Sequence, residues 1–361
     1  MQTIGVEEEY GLVDPVTRQL VPVAARVLAR AELAMGDAVQ NEFKLSQIEM
    51  ATPVCTTLEE VEREIRAARS RLREAARGAG ARLIATGTHP FSAAAEQRTT
   101  DKERYRGLSA TYRELGRDLV IFGCHVHVGI DDPQSSIAIF DRVRCELIPL
   151  LALAANSPFW HGRDTGYASY RTQVWSRWPL AGPPGAFQTR ENYERLVEDL
   201  VASDCIGDAT NLYWDLRPSA RFPTLEFRVT DVCATVDEAV AVAGLARALV
   251  ATCGRDISRG HDAPEVRTER IRVAHWRAAR DGLDGTLIDL GTNRSAPAAE
   301  ILRDFVKRLK PALDDAGDYE RVAATVERAL RDGNGATRQR RAFQAGGLEA
   351  VVDGLLAETE A

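Results

Sequence analysis

Long apolar runs are missing from this chain of 361 residues. The stretch LIPLLALAA at 147–155 falls well short of the roughly 20 residues a bilayer-spanning helix needs, so no membrane span is expected. Lysine is nearly absent, four against 42 arginines, which reads as the codon bias of a GC-rich genome and not as an arginine-rich binding site. A basic balance is lacking too. The net charge of −7 argues against a general nucleic-acid or anionic-membrane partner. Neither G-x-G-x-x-G nor G-x-x-x-x-G-K-[ST] occurs, which disfavours a doubly wound nucleotide fold. The six cysteines (Cys55, Cys124, Cys145, Cys205, Cys233, Cys253) form no C-x-x-C pair and read as free thiols of a reducing compartment. The start, MQTIGVEEEY, lacks the basic and apolar segments of a secretory signal, so the expected setting is the cytoplasm.

What is present is patterning. Strands are expected at 3–13, 46–54, 82–90, 121–130, 211–219 and 224–231. Val61, Ile65, Ala68 and Leu72 recur at helical spacing between Leu58 and Arg77, and Gly78 and Gly80 end that helix. Helices are also expected over 102–118 and 135–155, and from 236 onward only helical patterns occur. Residues 161–185, with Arg163, Arg171, Arg177, Trp175 and Trp178, read as a long loop able to close over a site. No repeat or linker divides the chain, so one catalytic domain is expected over 1–361, strand-rich to 235 and helical beyond. Short turns between strands and helices gathered late predict an α+β fold with a largely antiparallel sheet.

Alternation along a strand sorts side chains onto two faces. In FGCHVHVG, His125 and His127 share a face with Gly123 and Gly129, leaving that face open to something bulky. Glu7 and Glu9 oppose Glu8; Gln47 and Glu49 oppose Ile48 and Met50; Asp215 and Arg217 oppose Trp214 and Leu216; Glu226 and Arg228 oppose Phe227. Solvated faces usually mix Thr, Ser, Lys and Gln, whereas these carry Glu, His, Arg and Asp. If the faces meet in one cavity, Glu7, Glu9, Glu49 and Glu226 need countercharge, because burying a carboxylate costs several kcal/mol. Arg217 and Arg228 supply part. Mg²⁺ or Mn²⁺, suited to carboxylate oxygen with an occasional imidazole, supplies the rest. On this ground His127 is either a ligand or a hydrogen-bonded core residue. Metal ions with arginines are equipment for phosphoryl transfer.

The segments GVEEEYGLVD, QIEMATPVC, FGCHVHVGI, LAANSPFWHGRDTGYASYRTQVWSRWP, RPSARFPTLEFRVTDVC and AARDGLDG resemble the glutamate–cysteine ligase type 2 family, the carboxylate–amine ligases, in order over about 280 residues. The resemblance implies a glutamine-synthetase-like catalytic fold, a curved and largely antiparallel sheet holding ATP with two or three Mg²⁺ ions. It implies a carboxylate activated as an acyl phosphate and then attacked by an amine, both small molecules, in a homodimer or larger homo-oligomer. It assigns Glu7, Glu9, Glu42, Glu49, His127 and Glu226 to metal, with His125 as a further metal or phosphate contact. Arg171 and Arg228 fall to the transferring phosphoryl group, and Arg163, Tyr170 and Arg217 to substrate. A metal-dependent amidohydrolase, to which H-x-H on a strand also points, and a non-catalytic ATP- or metabolite-binding protein are the competing readings.

Overall fold

The computed structural model describes residues 2–130, 132 and 135–361. Its main sheet is built from β1 (Ile4–Val13), β2 (Val39–Asn41), β3 (Gln47–Ala51), β4 (Arg82–Ile84) and β5 (Gly123–Gly129). A two-stranded ribbon follows, β6 (Phe159–Trp160) with β7 (Arg163–Asp164). The sheet is then completed by β8 (Leu216–Pro218) and β9 (Thr224–Asp231). The order is β2-β3-β1-β5-β9-β8, with β4 also on β1, and every pairing is antiparallel. The expected α+β class is what the chain adopts.

One sheet face is core. Val6, Tyr10, Cys124, Val126 and Phe227 are buried there, against the helices Leu58–Gly78 and Val236–Ser258. Both helices start at a capping box, Thr57 with Glu60 and Thr235 with Glu238, which satisfies backbone N–H groups the first turn leaves open. Glu8 is the acid that alternation sends to this side. It lies fully buried and paired with Arg69 at 2.6 Å. Apolar and ionic faces are thus separated by one residue of register.

Several expectations are corrected. The 102–118 helix is two pieces, Glu103–Tyr112 and Glu114–Arg117, broken where Arg113 takes a left-handed φ of 50°. The 135–155 helix stops at Val143 and restarts at Ile148, because Pro149 has no N–H to continue the ladder. The strand begun at Arg82 ends at Ile84: Ala85 N–H then donates to Thr359 Oγ1 and Gly87 N–H to the Asn156 carbonyl. Of 211–219 only Leu216–Pro218 is strand. The late region is not helical throughout, for β10 (Thr286–Asp289) and β11 (Arg294–Pro297) form a hairpin.

Candidate active site

The opposite sheet face floors a cavity of about 220 Å³ lined by Glu7, Glu9, Glu42, Glu49, His125, His127, Glu226, Arg171, Arg217 and Arg228, among others. Register explains the gathering. Glu9 lies opposite Glu49 across β1–β3, Glu7 opposite His125 across β1–β5, His127 opposite Glu226 across β5–β9, and Arg217 opposite Glu226 across β8–β9. Direct cross-strand neighbours have Cβ atoms about 5 Å apart, so one charged residue per strand makes a continuous ionic row. Glu42 follows β2 and accepts a hydrogen bond from Tyr105 at 3.1 Å.

Two groups have ligand atoms all within 4.8 Å of one another: Glu7–His127–Glu226 and Glu7–Glu49–His125. Glu7 belongs to both. Its Oε1 lies 3.4 Å from His127 Nε2, and its Oε2 lies 3.2 Å from His125 Nδ1. Thr224 Oγ1 holds His127 Nδ1 at 3.0 Å, while the buried Nε2 has no hydrogen-bond partner among the described residues. An imidazole fixed through one nitrogen with the other left over is the arrangement a metal-bound histidine takes.

The electrostatics divide the site. Burial works against the charge of Glu226, yet Arg228 and Arg217 outweigh it and hold the pKa at about 2. Arg217 grips that carboxylate with two bonds, Nε at 2.7 Å and Nη2 at 3.0 Å. At the other side the acids are short of positive charge. Burial, then Glu42, pushes Glu9 up to about 7; burial, then Glu7, Glu42 and Glu9, lifts Glu49 well above the ordinary value; burial lifts Glu42. Carboxylates crowded until they resist ionising are stabilised by a cation among them. The donor set of oxygen with one imidazole in each group fits Mg²⁺ or Mn²⁺.

Arg171 reaches the site from the first turn of a short helix, Tyr170–Trp175. Its Nη2 donates to the Arg228 carbonyl at 3.3 Å, which sets the two arginines side by side. Gly123 makes room: a Cβ there would lie 2.4 Å from Arg171 Nη2. The bulky group expected beside the histidines is therefore, at Gly123, the protein's own guanidinium. At Gly129 a Cβ would meet Thr3 Oγ1 at 2.4 Å.

The sequence reading missed Asp231. This fully buried residue, at the end of β9, accepts from Asn156 N at 2.8 Å, Ser157 Oγ at 2.7 Å and Ser169 Oγ at 2.8 Å. Arg171 Nη1 lies 4.0 Å away, and Ser157 Oγ accepts from Arg171 N–H. Burial raises its pKa, and Arg171 and the donors pull the other way. The signal lay in TLEFRVTD, whose strand carries an acid five residues after Glu226, but alternation alone does not say which acid braces an arginine.

Two expected substrate residues are not brought to the cavity. Arg163 is exposed on the β6–β7 ribbon, and Tyr170 packs against Trp160 and Tyr167. Asp215 leaves the ionic face as well: it is buried with its carboxylate 3.1 Å from His275 Nδ1. The 161–185 segment is not a free flap across its middle, since Arg171, Val174 and Trp178 are buried and line or back the cavity wall.

An antiparallel sheet that offers acids, imidazoles and arginines from one face places the chain in the class of glutamine-synthetase-like ligase folds. The glutamate–cysteine ligase of Francisella tularensis, solved with AMP, superposes with a TM-score of 0.75 at 12% identity, over 100% of this chain and 89% of that one. A bifunctional glutathione synthetase from Pasteurella multocida gives 0.68 at 17%, over 99% of this chain and 52% of the longer one. The chain belongs to glutamate–cysteine ligase family 2, whose family model matches residues 3–354. A relative from Salinispora arenicola, named "Putative glutamate–cysteine ligase 2", is 42% identical over 99% of this chain and 95% of its own length. One from Rhodopirellula baltica with the same name is 40% identical over 99% and 96%.

Proposed function

We propose that the protein is an ATP-dependent, ADP-forming carboxylate–amine ligase working through an acyl phosphate, with glutamate as the carboxylate to try first. The observation that carries the reading is Glu7, shared by two cation-binding groups beside Arg171 and Arg228. Glu7, His127 and Glu226 would hold one ion, and Glu49, His125 and the crowded Glu9 and Glu42 the other side. The bound ions would neutralise charge on the triphosphate.

A carboxylate oxygen of the acid substrate attacks the γ-phosphorus; the O–P bond forms, the bond to the β-phosphate oxygen breaks, and ADP leaves. Arg171 and Arg228 stabilise the charge spread over the transferring group. The amine nitrogen, after losing a proton, attacks the acyl carbon. The C–N bond forms, the C–O bond to phosphate breaks, and phosphate leaves with a second proton released from nitrogen. Enclosure protects the acyl phosphate from water.

Each cation-binding group contains one imidazole, and His89 and His275 are buried elsewhere, which speaks against the amidohydrolase reading. The unbroken apolar core from Ile4 to Leu356 supports one catalytic unit. Five of the six free thiols are buried, which suits the cytoplasm, and no helix among the described residues is long and apolar enough to cross a membrane. Assembly as a homo-oligomer is part of the same reading, by family resemblance.

The test is incubation with ATP, Mg²⁺ and paired acids and amines, following ADP, phosphate and amide. Hydroxylamine added with the acid alone traps the acyl phosphate as a hydroxamate. Glu226→Ala is expected to lower turnover at least about a thousandfold, as it removes a cation ligand and strands Arg217 and Arg228. AMP and pyrophosphate as products would overturn the reading.

A further inference from the structure

The last helical segment of the chain, Gly335–Glu360, contributes none of its described residues to the cavity lining. Its first turns are nevertheless built into the support of Arg171. Gln339 is 3% exposed, and its Nε2 donates to the Asn156 carbonyl at 2.9 Å and to Asn156 Oδ1 at 2.7 Å. Gly335 lets the helix come this close, since a Cβ there would lie 2.2 Å from Asn156 Oδ1. Ala336 N–H donates to the neighbouring Ala155 carbonyl at 3.0 Å. Gln339 Oε1 has no partner among the described residues, so the amide is held by its NH₂ end alone. A buried polar group with an acceptor left over costs stability. Two apolar side chains would fill the same space without that cost, so packing does not account for a glutamine here.

Asn156 hands the contact on. Its N–H donates to Asp231 Oδ2 at 2.8 Å, beside the Ser157 hydroxyl that donates to the same oxygen at 2.7 Å. Its side-chain NH₂ donates to the Ala85 carbonyl at 3.2 Å and the Val232 carbonyl at 2.9 Å, which fixes the residue between two other segments. Asp231 Oδ1 then lies 4.0 Å from Arg171 Nη1, and Ser157 Oγ accepts from Arg171 N–H at 3.1 Å. The same helical turn also holds the other flank. Arg340 binds Asp164 at 2.8 and 2.9 Å and reaches the Tyr167 carbonyl at 2.9 Å, on the loop that leads to Ser169 and Arg171. Arg338 anchors the turn itself, gripping Glu238 at 2.7 and 3.1 Å.

On the ligase reading above, we propose that Gln339 is a positioning residue for Arg171. By holding Asn156 it sets the Asp231 carboxylate against the guanidinium, and so fixes where that arginine meets the transferring phosphoryl group. A misplacement of about 1 Å far from the chemistry costs about a hundredfold in rate. The slack left by one lost amide contact, reaching Arg171 only through Asn156 and Asp231, is smaller and worth about tenfold.

The test compares hydroxamate formation in four variants, with ATP, Mg²⁺ and the acid that gives most product. Gln339→Leu keeps the volume and removes both donors; Gln339→Met serves the same purpose if the leucine variant does not fold. For either, kcat is expected to fall about tenfold, with KM for ATP and the acid within about threefold, because Arg171 acts on charge developed in the transition state. Val352→Ala loosens the same segment at a fully buried position away from Asn156, and should lower the denaturant midpoint at least as far with kcat within about twofold. In an Asp231→Asn background, Gln339→Leu should cost less than about threefold further, since the link it works through is already cut. A kcat within about twofold of the parent, an equal loss in Val352→Ala, or the full loss retained in Asp231→Asn overturns the inference. If no acid gives hydroxamate or ADP, the ligase reading fails by itself, and the link is judged by hydrogen exchange of the Arg171 amide, which rests on Ser157 Oγ. Exchange about tenfold faster in Gln339→Leu but not in Val352→Ala supports the link; a rate equal to the parent's, or equally raised in both variants, overturns it.

Discussion

Replacing Asp231 by Asn isolates charge from shape. The carboxylate accepts from Asn156 N–H and Ser157 O–H on one oxygen and from Ser169 O–H on the other. An amide can keep its oxygen toward Asn156 and Ser157 and turn its NH₂ to Ser169, whose hydroxyl rotates to accept. The hydrogen bonds are therefore largely recoverable; the charge facing Arg171 at 4.0 Å is not. Two unit charges at that distance attract by about 4 kcal/mol at an effective dielectric of 20, but burial outweighs Arg171 and the three donors together and leaves the Asp231 pKa raised. The neutral amide escapes that desolvation cost and Arg171 keeps the Arg228 carbonyl, so folding stability is expected to change by no more than about 1–2 kcal/mol, below the about 3–5 kcal/mol typical of stranding a buried charge. Arg171 then loses its anchor, and kcat should fall about 10²–10³-fold, the range for removing one oriented electrostatic group. The assay pairs denaturant midpoints with hydroxamate formation for Asp231→Asn, Arg171→Met and the double variant. Additivity within about 0.5 kcal/mol, or a kcat within about threefold of the parent, would refute the bracing role.

Three other outcomes follow from the same geometry. Gly123→Ala puts a methyl 2.4 Å from Arg171 Nη2 and 3.1 Å from His125 Nε2; kcat should drop about a hundredfold while the thermal midpoint moves by only a few degrees, and a large stability loss with normal kcat would contradict it. Mg²⁺ or Mn²⁺ without nucleotide should stabilise the fold by about 2.7 kcal/mol at a hundred times Kd and so raise the thermal midpoint. Glu7→Ala, which touches both cation groups, should abolish that shift, and equal shifts in parent and variant would count against the site. His89 is buried, accepts from Phe91 and Ser92 N–H at Nδ1 and donates Nε2–H to the Arg18 carbonyl, and burial depresses its pKa to about 4. The folded state thus binds fewer protons than the unfolded one between about 6.5 and 4, so this stability is complete above pH 6.5 and falls by about 3 kcal/mol as pH drops to 4. Denaturant midpoints of parent and His89→Gln should converge over that window, and a constant gap would exclude the effect.

Strand alternation made most of the ionic row legible. Glu7, Glu9, Glu49, His125, His127, Glu226, Arg217 and Arg228 all line the cavity, because a two-residue period fixes the face once the strand is found. Glu42 and Arg171 came from family resemblance, not from periodicity, since one follows a strand and the other opens a six-residue helix. What the sequence hid depends on packing over long separations. Asp231 meets Ser157 and Ser169 across more than sixty positions, Asp215 turns to His275, and the rings of Tyr112, Trp178 and Tyr213 meet from three separate segments. Helix breaks at Arg113 and before Pro149 were local, and the proline at least carried its signal.

The position of β1 has a consequence for how the molecule is made. It precedes every other sheet strand in the chain, yet it sits mid-sheet between β3 and β5. At about 5–20 residues per second on the ribosome, roughly 6–23 seconds separate the end of β1 from the completion of β5. Through that interval one edge of an otherwise apolar strand is open, the condition under which nascent chains pair with one another. Three successive glutamates, Glu7 to Glu9, hold it apart from its neighbours by repulsion until its partners arrive. The acids proposed to hold cations would thus serve first as guards during synthesis, and neutral variants at Glu7 or Glu9 are expected to lose soluble yield as well as chemistry.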